Sequence, residues 1–243
     1  MLAGSRVVVV VPAFQEEERV GSVVATMPPF VDSIVVVDDG STDRTSAAAR
    51  EVGDARLVVV RHPERRGVGA ALTTGYVKGL ALTDRATDAL CVMAGDGQMD
   101  PHDLEALVRP IVRGAADYVK GDRFGDPTVR RSMGMPRWIG GKVFSRLTSA
   151  AIGQPISDSQ CGFTALARGA AVALDLDGLW PSFGYPNDLL GQLAARGLRV
   201  AEVPVRPVYG TETSKLRLRH LPPIFWLIGR AAMRRRRGSS GGS

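Results

Sequence analysis

The sequence predicts an α/β fold with a mostly parallel central sheet flanked by helices, and three observations carry that expectation. Short apolar runs rich in β-branched residues recur along the N-terminal half, stretches of helical pattern alternate with them, and acidic turns directly follow two of the runs. A parallel sheet needs a crossover between successive strands, and strands covered on both faces read as continuous apolar runs.

The elements follow in order. Residues 6–11 (RVVVVV), 33–37 (SIVVV), 56–60 (RLVVV) and 89–93 (ALCVM) read as strands buried on both faces. Between them, residues 16–26, 42–52 and 69–82 read as helices, the first with acids in its opening turn. Past residue 121 the rhythm changes. A loop-rich stretch runs to Pro136, a helix is expected over 137–152, a motif-dense segment over 158–168, a helix over 187–196 and a strand-like run over 199–203.

With 243 residues, 25.9 kDa and 44% apolar residues, the chain can bury a large core, and one domain is expected. No apolar run approaches the roughly 20 residues of a membrane span. Residues 1–6 lack the charged and apolar regions of a secretory signal, so residence in the cytoplasm is expected. Cys91 and Cys161 lack CxxC spacing and read as reduced thiols.

The net charge of +6 is unevenly spread. Residues 1–120 hold 13 Lys/Arg against 17 Asp/Glu, and residues 121–243 hold 18 against 8. An acidic half facing a basic one suits phosphate chemistry. Few aromatics and no recognisable nucleic-acid-binding motif argue against nucleic acid as a partner.

Two acidic turns stand out. Asp38-Asp39-Gly40-Ser41, with Asp43, sits where the second run stops, and Asp96-Gly97-Gln98 follows the fourth. Either alone reads as a turn, with Ser41 or Thr42 capping the next helix. Together they fall on the sheet edge where such folds bind ligands. Carboxylate and amide oxygens are hard ligands that suit Mg²⁺ or Mn²⁺, ions that bridge phosphate oxygens.

On these residues the chain resembles the family 2 glycosyltransferases. The matching pieces are Val11-Pro12-Ala13-Phe14-Gln15-Glu16-Glu17, Val37-Asp38-Asp39-Gly40-Ser41-Thr42-Asp43, Arg66-Gly67-Val68-Gly69-Ala70-Ala71 and Asp96-Gly97-Gln98. Asp158-Ser159-Gln160-Cys161-Gly162-Phe163 and Ser214-Lys215-Leu216 are most similar to the dolichyl and polyprenyl phosphate sugar synthases. The resemblance implies an A-type glycosyltransferase fold with a Rossmann-like nucleotide-binding half. It implies inverting, metal-dependent transfer from a nucleotide diphosphate sugar (UDP, GDP or dTDP) to a polyprenyl phosphate, with Mg²⁺ or Mn²⁺ as cofactor. Pro12, Ala13 and Glu16 would surround base and ribose, with Asp38 or Asp39. Asp96 and Gln98 would hold the metal, Arg123 and Arg137 would meet phosphates, Lys215 would close over the diphosphate, and Asp158 would lie near the acceptor.

Three departures mark this chain. Ala94-Gly95-Asp96 lacks one carboxylate of the usual Asp-x-Asp, Thr164 stands where a basic residue commonly follows Gly-Phe, and Asn187-Asp188 replaces Asp-x-Glu. They leave two other readings open: the same donor with a soluble hydroxyl acceptor, where Asp158 or Asp188 would serve as base, or a catalytically weak nucleotide-sugar binding protein. The expected organisation is a nucleotide-sugar half over 1–120, an acceptor half over 121–220, a basic C-terminal helix over 221–237 and a flexible tail over 238–243. That helix joins Ile224, Phe225, Trp226, Leu227 and Ile228 to several arginines. It reads either as an interfacial helix giving peripheral contact with an anionic membrane, or as a helix docked on the protein's own core. The three scattered histidines, His62, His102 and His220, suggest no site.

Overall fold

The computed structural model describes residues 1–125, 129, 133–208 and 221–239, with the side chains of residues 136, 137 and 237–239 outside the described set. The valine runs form β1 (Val7–Ala13), β2 (Ser33–Asp38) and β3 (Leu57–Arg61), and β4 (Ala89–Val92) follows. β-Branched side chains are stiff at χ1 and pack well on a pleated surface, so these runs settle as strands. Helices α1 (Val20–Ala25), α2 (Thr45–Glu51) and α3 (Val68–Ala81) carry the crossovers. The chain continues through α4 (Leu104–Val112), β5 (Tyr118–Asp122), α5 (Met135–Ile152), β6 (Thr164–Ala167), α6 (Arg168–Ala173), α7 (Tyr185–Ala195), β7 (Val200–Pro204) and α8 (Leu221–Ser239).

The strands make one seven-stranded sheet in the order β3-β2-β1-β4-β6-β5-β7. It is mostly parallel, as the sequence predicts: β6 alone runs antiparallel to its neighbours β4 and β5. Neither β5 nor β6 is legible in the sequence. β5 carries Lys120 and Gly121 within it, and β6 is only the four residues TALA. Helix α1 starts later than its acidic pattern suggests. Gln15 adopts a left-handed φ of 57°, and the Glu16 amide donates to Thr45 Oγ1 at 2.9 Å, so the chain turns before it coils.

Close packing of α3 on β1 gives a first test. A Cβ on Gly75 would meet Val10 Cγ1 at 2.1 Å. Alanine is preferred to glycine in a helix by up to about 1 kcal/mol, but overpacking a rigid core costs about 1–3 kcal/mol. Gly75→Ala is therefore expected to lower the urea midpoint of unfolding, and an unchanged or raised midpoint would show that α3 has room to move.

Helix α8 packs on α7 and α5, burying Ile224, Leu227, Ile228 and Ala231, a stripe with helical period. The contact is also ionic. Asp188 of α7, 1% exposed, accepts from Arg234 Nη1 at 2.6 Å and lies 3.6 Å from Arg230. Trp226 and Met233 face outward. Of the two readings of this helix, docking on the protein's own core describes Ile224, Leu227 and Ile228, which are buried. No helix among the described residues is long and apolar enough to cross a membrane.

Candidate functional site

Backbone bonds hold the three chain ends that leave β1, β2 and β4 in one row. The Asp39 amide donates to Ala13 O at 2.9 Å, and the Gly95 amide to Pro12 O at 3.0 Å. Over this row opens a cleft of about 590 Å³, lined by Pro12, Ala13, Glu16, Asp39, Asp96 and Gln98, and by Arg123 just beyond β5. Its size suits a ligand of nucleotide dimensions.

The two aspartates of the first acidic turn take different places. Asp38 is buried beneath the turn, where it accepts from the Ser41 amide at 2.9 Å and from the Ser46 hydroxyl, with Arg61 Nε at 3.7 Å. It fixes the turn and does not line the cleft. Asp39 does line it, and its carboxylate accepts from the amides of Arg66 (2.9 Å) and Gly67 (2.7 Å). His62 completes the set, with Nδ1 2.8 Å from Asp39 Oδ1 and Nε2 2.9 Å from Thr74 Oγ1. Nothing in the local pattern announces that role beyond the position of His62 directly after β3.

The Arg66-Gly67-Val68-Gly69 turn opens α3 under a strap, residues 180–182, that also borders the cleft. Gly67 has φ 103°, a conformation that favours glycine. A Cβ on Gly69 would lie 2.0 Å from Trp180 O, so the backbones touch there. A further wall escaped the sequence reading: the Arg65 guanidinium stacks 4.2 Å from the centre of the Phe14 ring, and both line the cleft.

At the second acidic turn, Asp96 Oδ1 accepts from the Gln98 amide at 3.1 Å, and Ala94 lines the cleft beside it. No group of three or more His, Cys, Asp or Glu gathers to hold a metal among the described residues. Asp96 and Gln98 nonetheless both line the cleft, and each carries a hard oxygen donor. Such a pair fits Mg²⁺ or Mn²⁺ if diphosphate and water supply the remaining ligands.

Arg123 binds Asp158 in a two-point fork, Nε to Oδ2 at 2.7 Å and Nη2 to Oδ1 at 3.0 Å. Asp158 is fully buried and does not line the cleft. Burial pushes its carboxyl up, but Arg123, with help from Lys120, more than offsets this and holds it below the ordinary value. Lys120, also fully buried, donates to Cys161 O at 2.7 Å, and burial pushes its pKa down. The second carboxylate offered as a base, Asp188, accepts from the Trp180 amide at 3.0 Å as well as from Arg234. Arg137 lies in the first turn of α5 with its side chain outside the described residues, as is the whole of Lys215. The far wall of the cleft comes from α5 through Gly140, Gly141 and Phe144 and from α8 through Leu221 and Phe225, and the Phe144 and Phe225 rings meet at 5.3 Å.

Comparison with known proteins gives the family and the fold. The family model of Glycosyl transferase family 2 matches residues 8–174. The UDP-N-acetylglucosamine–dolichyl-phosphate N-acetylglucosaminyltransferase of Methanococcus voltae is 26% identical over 231 residues, covering 89% of this chain and 90% of the relative. The polyprenol monophosphomannose synthase of Mycolicibacterium smegmatis is 31% identical over 208 residues, covering 82% of this chain and 76% of the relative. Among solved structures, glucosyl-3-phosphoglycerate synthase of Mycobacterium tuberculosis, in complex with Mn²⁺, UDP and phosphoglyceric acid, aligns with a TM-score of 0.67 at 23% identity. The alignment covers 96% of this chain and 79% of that one, and it shows a shared A-type glycosyltransferase fold.

Proposed function

The chain belongs to glycosyl transferase family 2, and from that premise we propose that it moves a sugar from a nucleotide diphosphate sugar to a polyprenyl-type phosphate with inversion. The observation that carries the choice of acceptor is the state of the two carboxylates a hydroxyl acceptor would need. Asp158 and Asp188 are both buried and both paired with arginine. A hydroxyl requires a base to take its proton, whereas a phosphate dianion attacks without one. Two relatives carry dolichyl-phosphate or polyprenol in their names, in keeping with this reading.

In this scheme Pro12, Ala13, Glu16 and Asp39 receive the nucleoside, with Phe14 and Arg65 as a flat wall beside it. Asp96 and Gln98 would hold a divalent cation, which when bound supplies charge neutralisation to the diphosphate. An acceptor phosphate oxygen forms the bond to the anomeric carbon from the face opposite the diphosphate, and the old carbon–oxygen bond breaks with its electron pair leaving on the diphosphate. Arg123, anchored by Asp158, holds phosphate charge at the cleft, and Arg137 and Lys215 add to it. Positioning and charge do the rest.

The test is transfer to a short, water-soluble prenyl phosphate with Mn²⁺, run with UDP, GDP and dTDP sugars chosen by thermal shift. Product of inverted anomeric configuration is expected. Transfer to sugar hydroxyls alone, or donor binding with no turnover, would overturn the reading. The missing carboxylate gives a second check. Ala94→Asp adds a hard ligand beside Asp96 and is expected to lower the Mn²⁺ concentration for half-maximal activity roughly tenfold, and an unchanged Mn²⁺ titration would mean that position 94 does not face the ion.

A further inference from the structure

Six large apolar side chains on two neighbouring helices remain uncovered outside the cleft. Met135, Ile139, Val143 and Leu147 on α5, and Trp226 and Met233 on α8, are each between 40% and 55% exposed. Elsewhere among the described residues, the large exposed apolar residues are Met1, Val77, Val172 and Val208, scattered over separate elements. Isolated apolar residues on a surface are ordinary, but a contiguous group next to a cleft marks a docking face.

The α5 residues recur every fourth position, so they stack along one helix face. By the same geometry Lys142 and Arg146 flank that stripe on the side away from Phe144, which meets Phe225 of α8. The other face of α5 borders the cleft through Gly140, Gly141 and Phe144, and α8 borders it through Leu221 and Phe225, between its outward side and the side packed on α7. α5 and α8 therefore both present an apolar surface beside the cleft.

We propose that these outward faces of α5 and α8 seat the protein on an anionic lipid bilayer, with the cleft mouth held at the headgroup level. Charge selects this occupant. Neither helix contains a single Asp or Glu, and Lys142 and Arg146 flank the α5 stripe while Arg236 is exposed on α8; Arg230 and Arg234 turn inward to Asp188 and add nothing to this face. A second copy of the chain would bring the same acid-free faces together and be repelled. An anionic membrane attracts them, and each base near its surface strengthens binding about fivefold. Because no described helix can span the bilayer, the contact is peripheral. The inference deepens the lipid-phosphate reading, since it delivers the cleft to an acceptor whose prenyl chain stays in the membrane.

The experiment compares the full chain with Ile139→Glu/Val143→Glu and, separately, Arg146→Glu. All three positions are on the outer surface, and none lines the cleft. Co-sedimentation is measured with phosphatidylcholine vesicles, with and without one quarter phosphatidylglycerol, at low and high salt. Turnover is measured with a water-soluble prenyl phosphate and with a long-chain one embedded in the same vesicles. The full chain is expected to bind only the anionic vesicles, less so at high salt. Both variants should bind them at least about tenfold more weakly, lose turnover of the embedded acceptor and keep turnover of the soluble one.

Variants that sediment and turn over the embedded acceptor like the full chain would overturn the docking face. So would a full chain that ignores vesicles, or one whose exposed face proves to pair two copies in analytical ultracentrifugation. Failure of every protein on both prenyl phosphates, with vesicle binding still lost only in the variants, would overturn the proposed acceptor and leave the docking face standing.

Discussion

Asp96→Asn is expected to lower transfer by roughly a hundredfold or more, the usual scale for removing one electrostatic stabiliser of a leaving group, and to leave the fold intact. Asp96 supplies the carboxylate at the cleft edge where β4 ends, and Ala94 offers no second one. Its acceptance from the Gln98 amide can be met by the neutral carbonyl oxygen of asparagine. The loss therefore falls on charge. Turnover at saturating donor across a Mn²⁺ titration, beside a thermal melt, is the measurement. A melt within about 2 °C of wild type with turnover lost supports the assignment, and undiminished turnover would remove Asp96 from the site.

Arg123→Met carries the second large effect, on stability as well as transfer. It strands the Asp158 carboxylate in a fully buried position. Breaking one side of a buried pair costs about 3–5 kcal/mol, which in a domain of this size lowers Tm by roughly 10 °C. The pH dependence fixes the cause. In the wild type Asp158 titrates below its ordinary value of 3.8, so the pair stabilises the fold above that pH and the contribution fades only as pH falls through the lower, native value. In the variant, burial without Arg123 pushes the carboxyl upward, so protonation relieves the stranded charge as the solution is acidified. The stability gap between the two proteins should be widest near neutral pH and narrow below about pH 4. A gap that does not change with pH would mean that lost packing by Arg123, not the charge on Asp158, sets the cost. Replacing both partners, as Arg123→Met/Asp158→Asn, should recover part of the lost stability while transfer stays low.

The first half of the sheet was legible because five adjacent valines leave little choice but a buried strand, and because acidic turns in a parallel sheet fall on one edge by construction. Pro12, Ala13, Glu16, Asp39, Asp96, Gln98 and Arg123 accordingly share one cleft. What stayed hidden depends on contacts between distant segments. His62 reaches Asp39 across 23 positions and Arg65 reaches Phe14 across 51, and no local pattern announces either. The choice between Asp38 and Asp39 was equally closed to sequence reading, since neighbouring residues at a strand end point opposite ways and a one-residue register decides which enters the cleft. In α8 both faces are apolar, Ile224 and Leu227 on one and Trp226 and Met233 on the other. Periodicity could not say which of them meets the core.

The contact between the Gly67–Gly69 turn and the strap at residues 180–182 also bears on how this scaffold can be altered. With Trp180 O only 2.0 Å from where a Cβ of Gly69 would sit, and the Ala70 amide donating to Pro181 O at 3.1 Å, two stretches over a hundred residues apart share one boundary. Neither can be exchanged for a relative's version by itself. A chimaera that imports only the glycine turn, or only the strap, inherits a collision or a gap at the edge of the cleft. Swapping both together keeps the fit, so any effort to reshape the cleft by loop grafting has to treat residues 65–70 and 180–184 as a single cassette.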